Sequence, residues 1–485
     1  MGLREQFTGW KPKLWAGWRP NGVGEQKPNH YRDIARVAWA NRAHPAYAYQ
    51  VLTKGACDGC ALGVAGLHDW TIDGVHLCTT RLDLLELNTA DAVDPLVLSD
   101  VAALRTRTGA QLRALGRLGH PLRRRRRETG FRRVSWDEAL SVLAAGLRAT
   151  TPDRAALYLT SRGITNETYY VAAKASRALG IANIDSAARV CHAPSTVGLR
   201  QTVGLAATTC SFQDVIEAPL VVLWGSNPAN NQPVFMKYLY LARRRGCRVV
   251  VVNPYLEPGL ARYWVPSNVE SALFGTKMCD LHVPVRPGGD VALANAALRR
   301  LIARGAVDRA FVDAHTEGFA EVAEALAGQD TDHLLDVAGV DRPTLESFVD
   351  ELARAGGAIH VWSMGITQHR GAAETVRGIV NLALAQGGVG RNGVGLMPIR
   401  GHSGVQGGAE MGAYATALPG GLPIDPDHAA ALSATWGFPV PDRPGLTAPE
   451  MVEAAGRAEI DVLWMSGGNF LDVMPDSRAV EAALG

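Results

Sequence analysis

The chain has 485 residues, 47% hydrophobic and 20% charged, with a formal net charge of +2. That length holds roughly two to four domains with ample core, and the near-neutral charge argues against a nucleic-acid or membrane-surface partner. No apolar run reaches the ~18 residues that cross a bilayer, and Met1-Gly2-Leu3-Arg4-Glu5-Gln6 carries neither a signal-peptide core nor a twin-arginine pair, so a cytoplasmic chain without membrane insertion is the expectation.

Residues 1–50 are rich in Trp, Pro, Arg and Asn and show little periodicity, which reads as an irregular surface wrap. Cys57-Asp58-Gly59-Cys60 follows, then Cys78. Seven cysteines in so long a chain do not make a disulfide scaffold. A C-x-x-C on a glycine-containing turn lets two thiolates converge on one metal centre. The alternatives are a redox pair, which normally opens a helix in a βαβ setting not evident here, and simple packing. Further on, the five arginines at 123–127 read as a solvated loop, with an anion or partner contact as the alternative. Ser135-Trp136-Asp137-Glu138 has the form of a capping box, and Trp136, Ala139, Leu140, Leu143 and Leu147 follow at helical spacing.

From there short apolar runs alternate with amphipathic segments. The predicted strands are 156–160, 219–224, 248–253, 281–285, 358–364 and 461–466. The predicted helices are 166–180, 233–245, 290–304, 344–355 and 372–386, the last ended by Gly387-Gly388. Such alternation gives an α/β, multi-domain fold of parallel sheets flanked by helices on both faces. Ligands in these folds gather at the carboxyl ends of strands.

The loops there are informative. Between 166–180 and 219–224, Cys191-His192-Ala193-Pro194 places a thiol, a ligand for soft metals, beside an imidazole, the group that most readily moves protons near neutral pH. An inert buried Cys beside a structural His is the plain alternative. After 219–224, Gly225-Ser226-Asn227-Pro228 runs to Gln232, and Pro233 is expected to open a helix. Small and amide residues there suit an anion facing backbone N–H groups, or an ordinary turn. The loop is neither a Walker loop nor Gly-x-Gly-x-x-Gly. With no nicotinamide fingerprint anywhere, a separate electron-transfer partner is implied. Asn253-Pro254 ends the next strand. In Pro287-Gly288-Gly289-Asp290 the aspartate is a candidate N-cap. After 358–364 come Gly365 and Gln368, and after the last predicted helix Arg400-Gly401-His402-Ser403-Gly404-Val405-Gln406-Gly407.

Thr160-Ser161-Arg162, Thr165-Asn166-Glu167 and the run from Asp185 through Cys191-His192 to Ser195 resemble the active-site region of molybdopterin-dependent formate dehydrogenase alpha subunits. The sequence is most similar to the YdeP-type oxidoreductases within that group. The resemblance implies a formate dehydrogenase/DMSO reductase-like fold and a molybdenum or tungsten bis-molybdopterin guanine dinucleotide. Cys191 would ligate the metal, His192 would handle the substrate proton, and Arg400 would orient a small carboxylate through its planar fork. Gly225, Asn227, Pro228, Asn253, Pro287, Gly288, Asp290, Gly365, Gln368, Gly401 and Gln406 would line the cofactor site. Cys57, Cys60 and Cys78 match three ligands of a 4Fe-4S iron–sulfur motif. Val64 stands at the remaining Cys position, leaving His68, His76 and Asp58 as candidate fourth ligands, or a three-iron cluster, a zinc site or no cluster. Thr80 stands where the family carries a basic bridge from cluster to pterin, with Arg81 next to it. Asn253 stands where the family has Asp.

The implied domains are an iron–sulfur-type domain at 1–118, a discontinuous αβα domain at 119–186 and 401–485, and a pterin-nucleotide αβα domain at 187–400. The family's C-terminal β-rich domain is not supplied by this chain. The leading expectation is two-electron oxidation of formate or a similar small anion. A non-catalytic cofactor- or partner-binding protein, and a zinc-bound structural protein built on Cys57, Cys60 and Cys78, are the alternatives.

Overall fold

A computed structural model describes residues 15–17, 29–54, 68–69 and 72–485. Where an irregular wrap was expected within residues 1–50, the described part forms helices, His30–Ala40 and Pro45–Thr53. After Thr79–Asn88 and Trp136–Arg148 the core begins with β1 (Ala155–Leu159), α1 (Asn166–Ala178), β2 (Asn183–Ser186) and α2 (Ala193–Val203). It continues through β3 (Leu220–Trp224), α3 (Phe235–Arg244), β4 (Arg248–Val252), β5 (Leu281–Val283) and α4 (Asp290–Ala303). Then come α5 (Arg342–Ala355), β6 (Ile359–Trp362), α6 (Ala372–Leu384), β7 (Gly395–Pro398) and β8 (Val462–Ser466). Two all-parallel sheets result, one ordered β5-β4-β3-β6-β7 and the other β8-β1-β2.

The larger sheet is the central layer. Val222, Trp224, Val250 and Val252 pack on one side against α4, α5 and α6. Val221, Leu223, Val249 and Val251, their neighbours along the strands, pack on the other side against α3. Both faces are covered, so these strands read as unbroken apolar runs rather than alternating ones. The helices stop and start on local chemistry. Thr165 caps α1 by accepting from Thr168 N–H. Asp341 caps α5, whose end passes into Gly356 in the left-handed region.

All six predicted strands and all five predicted helices are present, and the two strands of the parallel sheets without a prediction have physical explanations. β2 reads Asn-Ile-Asp-Ser, yet is buried throughout. Its polar groups are satisfied: Asn183 Nδ2 donates to the Asp153 and Ala155 carbonyls, and Asp185 accepts from Ala415 and Ala448 N–H. β7 contains Gly395 and Pro398, which a sheet edge tolerates. Three local expectations are corrected. Pro228, not Pro233, opens helix in the loop after β3, as the single turn Pro228–Asn231, and α3 begins only at Phe235. Gly289 is the N-cap of α4, leaving Asp290 as its first residue. Ser135 does accept from Glu138 N–H, but the Glu138 carboxylate turns to Arg123 and Arg132 instead of closing the capping box. Among the described residues no helix is long and apolar enough to cross a membrane.

Candidate active site

Cys191 lies between β2 and α2, where the carboxyl ends of both sheets meet. Its Sγ is 3.8 Å from Met364 Sδ, just past β6. Thr367 Oγ1 donates to the Cys191 carbonyl at 2.6 Å, and Gln368 Nε2 to the Val190 carbonyl at 2.7 Å. These bonds tie the cysteine loop to the segment after β6. From behind, Arg189 pairs with the buried Asp185 at 3.0 Å and lies over the Tyr414 ring. Gln368 thus supports the loop through its backbone rather than opening onto either cavity described below.

Cys191 and His192 are 9% and 1% exposed. Burial raises the Cys191 thiol to about 11, with the Arg400 guanidinium and the Gly401 backbone opposing the rise. A bound cation reverses that balance, since a coordinated thiol loses its proton. Burial and then the Arg400 charge depress His192 to about 3, against the Ile399 backbone, so the imidazole is neutral at neutral pH. Burial also lowers Arg400, with Cys191, Glu410 and Tyr414 countering. The three groups sense one another, so the structure gathers Cys191, His192 and Arg400 into one place. A cavity of about 90 Å³ opens there, lined by His192 and Arg400 with Arg200, Gln406, Glu410 and Tyr414. On one of its walls Gln406 Nε2 donates to Glu410, one helical turn further on, at 2.7 Å.

A second cleft, of about 400 Å³, opens at the carboxyl ends of β3, β4 and β6. Gly225, Ser226, Asn227, Asn253, Pro287, Asp290, Met364 and Gly365 line it. Gly225 and Gly365 cross back to back: Gly365 N–H donates to Gly225 O at 3.0 Å, and a Cβ on Gly365 would sit 2.6 Å from Gly225 Cα. Only glycine fits such a crossing, and Gly225 also takes a φ of +50°. Asn253 Nδ2 donates to Ser226 O at 3.0 Å, holding one loop to the next. Asp290 is 4% exposed, and burial raises it to about 6 against its own backbone and the His369 charge. Pro228 is buried behind Asn227, and Gly288, at φ +81°, turns the chain between Pro287 and Asp290.

Residues 117–485 match the family model for molybdopterin oxidoreductases. The chain belongs to the molybdopterin oxidoreductase family. It is 32% identical to formate dehydrogenase H of Escherichia coli over 374 residues, covering 76% of this chain and 50% of that protein. It is 30% identical to protein YdeP of Escherichia coli over 391 residues, 78% of this chain and 51% of that one. An uncharacterized oxidoreductase of Mycobacterium bovis is 32% identical over 393 residues, 79% of this chain and 49% of the relative. The chain thus spans about half the length of these curated relatives. Acetylene hydratase from Pelobacter acetylenicus shares the fold at a TM-score of 0.58 and 17% identity, over 88% of this chain and 58% of that one.

The residues present fit a molybdopterin oxidoreductase centre. Ser226 Oγ and Asn227 Oδ1 are buried at the cleft without a hydrogen-bond partner, so they are open to a ligand's donors and acceptors. Cys191 offers a soft sulfur in contact with Met364 of the cleft's lining. The N-terminal cysteines are a separate matter. Cys57, Cys60, Asp58 and Val64 lie outside the described residues, as do the side chains of His68 and Thr80. Cys78 is buried at the N-cap of helix Thr79–Asn88, and Arg81 Nη2 donates to Val51 O at 2.8 Å. Among the described residues, no three His, Cys, Asp or Glu side chains converge as a metal-ligand set.

Sequence reasoning gave no role to Met364, Thr367, Tyr414, Ser195 or Trp362. Met364 and Thr367 look like ordinary loop residues, and only the fold brings them to Cys191. Ser195 carried a usable signal, its position three residues after His192 at the start of a helix.

Proposed function

We propose that the chain is the catalytic half-site of a formate dehydrogenase-like oxidoreductase, taking two electrons from formate or a similar small anion. The observation that carries this reading is the burial of Cys191 and His192 within reach of the Arg400 charge, with His192 and Arg400 lining one cavity. The segment 187–400, with its five-stranded sheet, is the proposed pterin-nucleotide domain. The cleft residues Gly225, Asn227, Asn253, Pro287 and Asp290 would hold the guanine dinucleotide of a molybdopterin. When bound, that group supplies the two-electron redox chemistry of molybdenum or tungsten.

The chain's own residues then have distinct tasks. Cys191 is the protein's sulfur ligand. Arg400, desolvated and always charged, presents a planar fork to two substrate oxygens. Its charge is worth far more in this buried cavity than in water. His192, neutral and wedged beside it, lines the same cavity and guides the proton that formate gives up on becoming carbon dioxide toward the exposed Glu410 carboxylate. Glu410 and Arg200 set the polarity of the approach. Electrons would leave to a separate partner, by way of a cluster at Cys57, Cys60 and Cys78 if one assembles there. The decisive test is formate-dependent reduction of a dye acceptor by the full chain carrying metal and pterin. Turnover supports the reading, and no turnover at full metal and pterin occupancy rejects formate.

A further inference from the structure

His192 does not stand alone on its protein side. Its Nδ1 is 3.0 Å from Ser195 Oγ, and the same oxygen is 2.9 Å from Trp362 Nε1. Ser195 and Trp362 are fully buried and His192 is 1% exposed, so the bonds among the three are sheltered from bulk solvent. Indole Nε1–H can only donate, so Ser195 Oγ must accept from it. The serine hydroxyl keeps one proton of its own, and His192 Nδ1 is the remaining polar atom against it. If Nδ1 carried a proton, two N–H groups would point at Oγ and the hydroxyl proton would have no acceptor, a buried loss of about 1–3 kcal/mol. With Nδ1 bare, every donor is used: Trp362 to Ser195, and Ser195 to His192.

We propose that Ser195, backed by Trp362, is a positioning residue that fixes His192 in the tautomer protonated on Nε2, so that His192 meets the substrate anion as a hydrogen-bond donor. Nε2 is buried with no partner in hydrogen-bond geometry, the nearby Ile399 backbone favours a proton on the ring, and His192 lines the cavity it shares with Arg400. The arrangement also closes the Nδ1 side to proton traffic, because the relay ends in an indole that does not exchange protons near neutral pH. A Ser at this position therefore decides which edge of the ring works. The inference rests on placing His192 beside the substrate, but the tautomer itself is a property of the chain.

The test is two-dimensional NMR of the full chain labelled with ¹⁵N-histidine, with His192 assigned by the signal lost in His192→Gln. The expected wild-type spectrum has a protonated Nε2 and a bare Nδ1. In Ser195→Ala the ring nitrogens shift toward an averaged mixture of tautomers, and Ser195→Thr restores the wild-type pattern. Trp362→Phe, which keeps the hydroxyl but removes its donor, gives a partial shift and serves if Ser195→Ala does not fold. In metal-loaded enzyme, Ser195→Ala lowers kcat about 10- to 100-fold, as for other outer-layer partners, and Ser195→Thr recovers most of it. A protonated Nδ1 in the wild type, or an unchanged tautomer in the Ser195 and Trp362 variants that fold, overturns the proposal. An enzyme inactive on formate that still shows the Nε2–H tautomer overturns the formate reading alone.

Discussion

The cleft at the ends of β3, β4 and β6 is walled mainly by backbone, amides and small residues, whereas the cavity beside Cys191 sets the desolvated His192 and Arg400 among small apolar residues, with the exposed Arg200 and Glu410 at its edge. Met364 lies between the two, lining the first and touching the sulfur of the second. The difference separates two jobs. A large ligand held by many fixed dipoles loses little when one is removed. A small anion held by one guanidinium beside one thiol and one imidazole loses nearly everything. Substitutions in the two regions should therefore behave differently, and each prediction below is a way to make them do so or to show that they do not.

The largest effect is expected at Cys191. Cys191→Ala should lower formate turnover on the order of 1,000-fold or more, while the pterin nucleotide extracted per chain stays near the wild-type amount. Loss of both together would mean that the regions are not separable. Next is Arg400→Lys, which keeps the charge and removes the fork. It should lower kcat/KM by about 100-fold, or ~3 kcal/mol, with unfolding midpoint little changed.

The strands that lead to the cleft give a pH prediction. Trp224 Nε1 donates to His360 Nδ1 at 3.1 Å, joining β3 to β6, and burial depresses His360 from 6.5 to about 4. The sign follows from the unfolded chain binding the proton more readily. Stability from this pair is complete above pH 6.5 and is lost as pH falls toward 4, by roughly 3 kcal/mol in all. Denaturant titrations across that window should show a steeper acid loss in the wild type than in His360→Gln. A smaller effect is expected at the glycine crossing. Gly365→Ala puts a Cβ against Gly225 backbone and should cost about 1–3 kcal/mol in unfolding experiments and lower pterin occupancy. Cys191 variants should do neither.

Much of the fold was legible because the large sheet is buried on both faces. Val249-Val250-Val251-Val252 can hardly be anything but a central strand, and the helices between strands carried their own caps. β2 was not legible, because burying its polar Asn183 and Asp185 depends on donors from Leu446 and Ala448, each 263 residues away in sequence. Cys191 and Arg400 were legible as a pair through motif resemblance; nothing in spacing or periodicity could place residues 209 positions apart side by side. Met364 and Trp362 were invisible for the same reason, since their importance comes from where β6 ends. The C-x-x-C at Cys57 and Cys60 was a clear signal in the sequence, and it lies outside the described residues.

The account stands on a bond between the sulfur of Cys191 and a pterin-held metal. X-ray absorption at the metal edge, on wild type and Cys191→Ser prepared with equal metal and pterin content, addresses that bond directly. The account predicts one fewer sulfur neighbour and one more oxygen neighbour in the variant. Identical metal environments in the two proteins would contradict it.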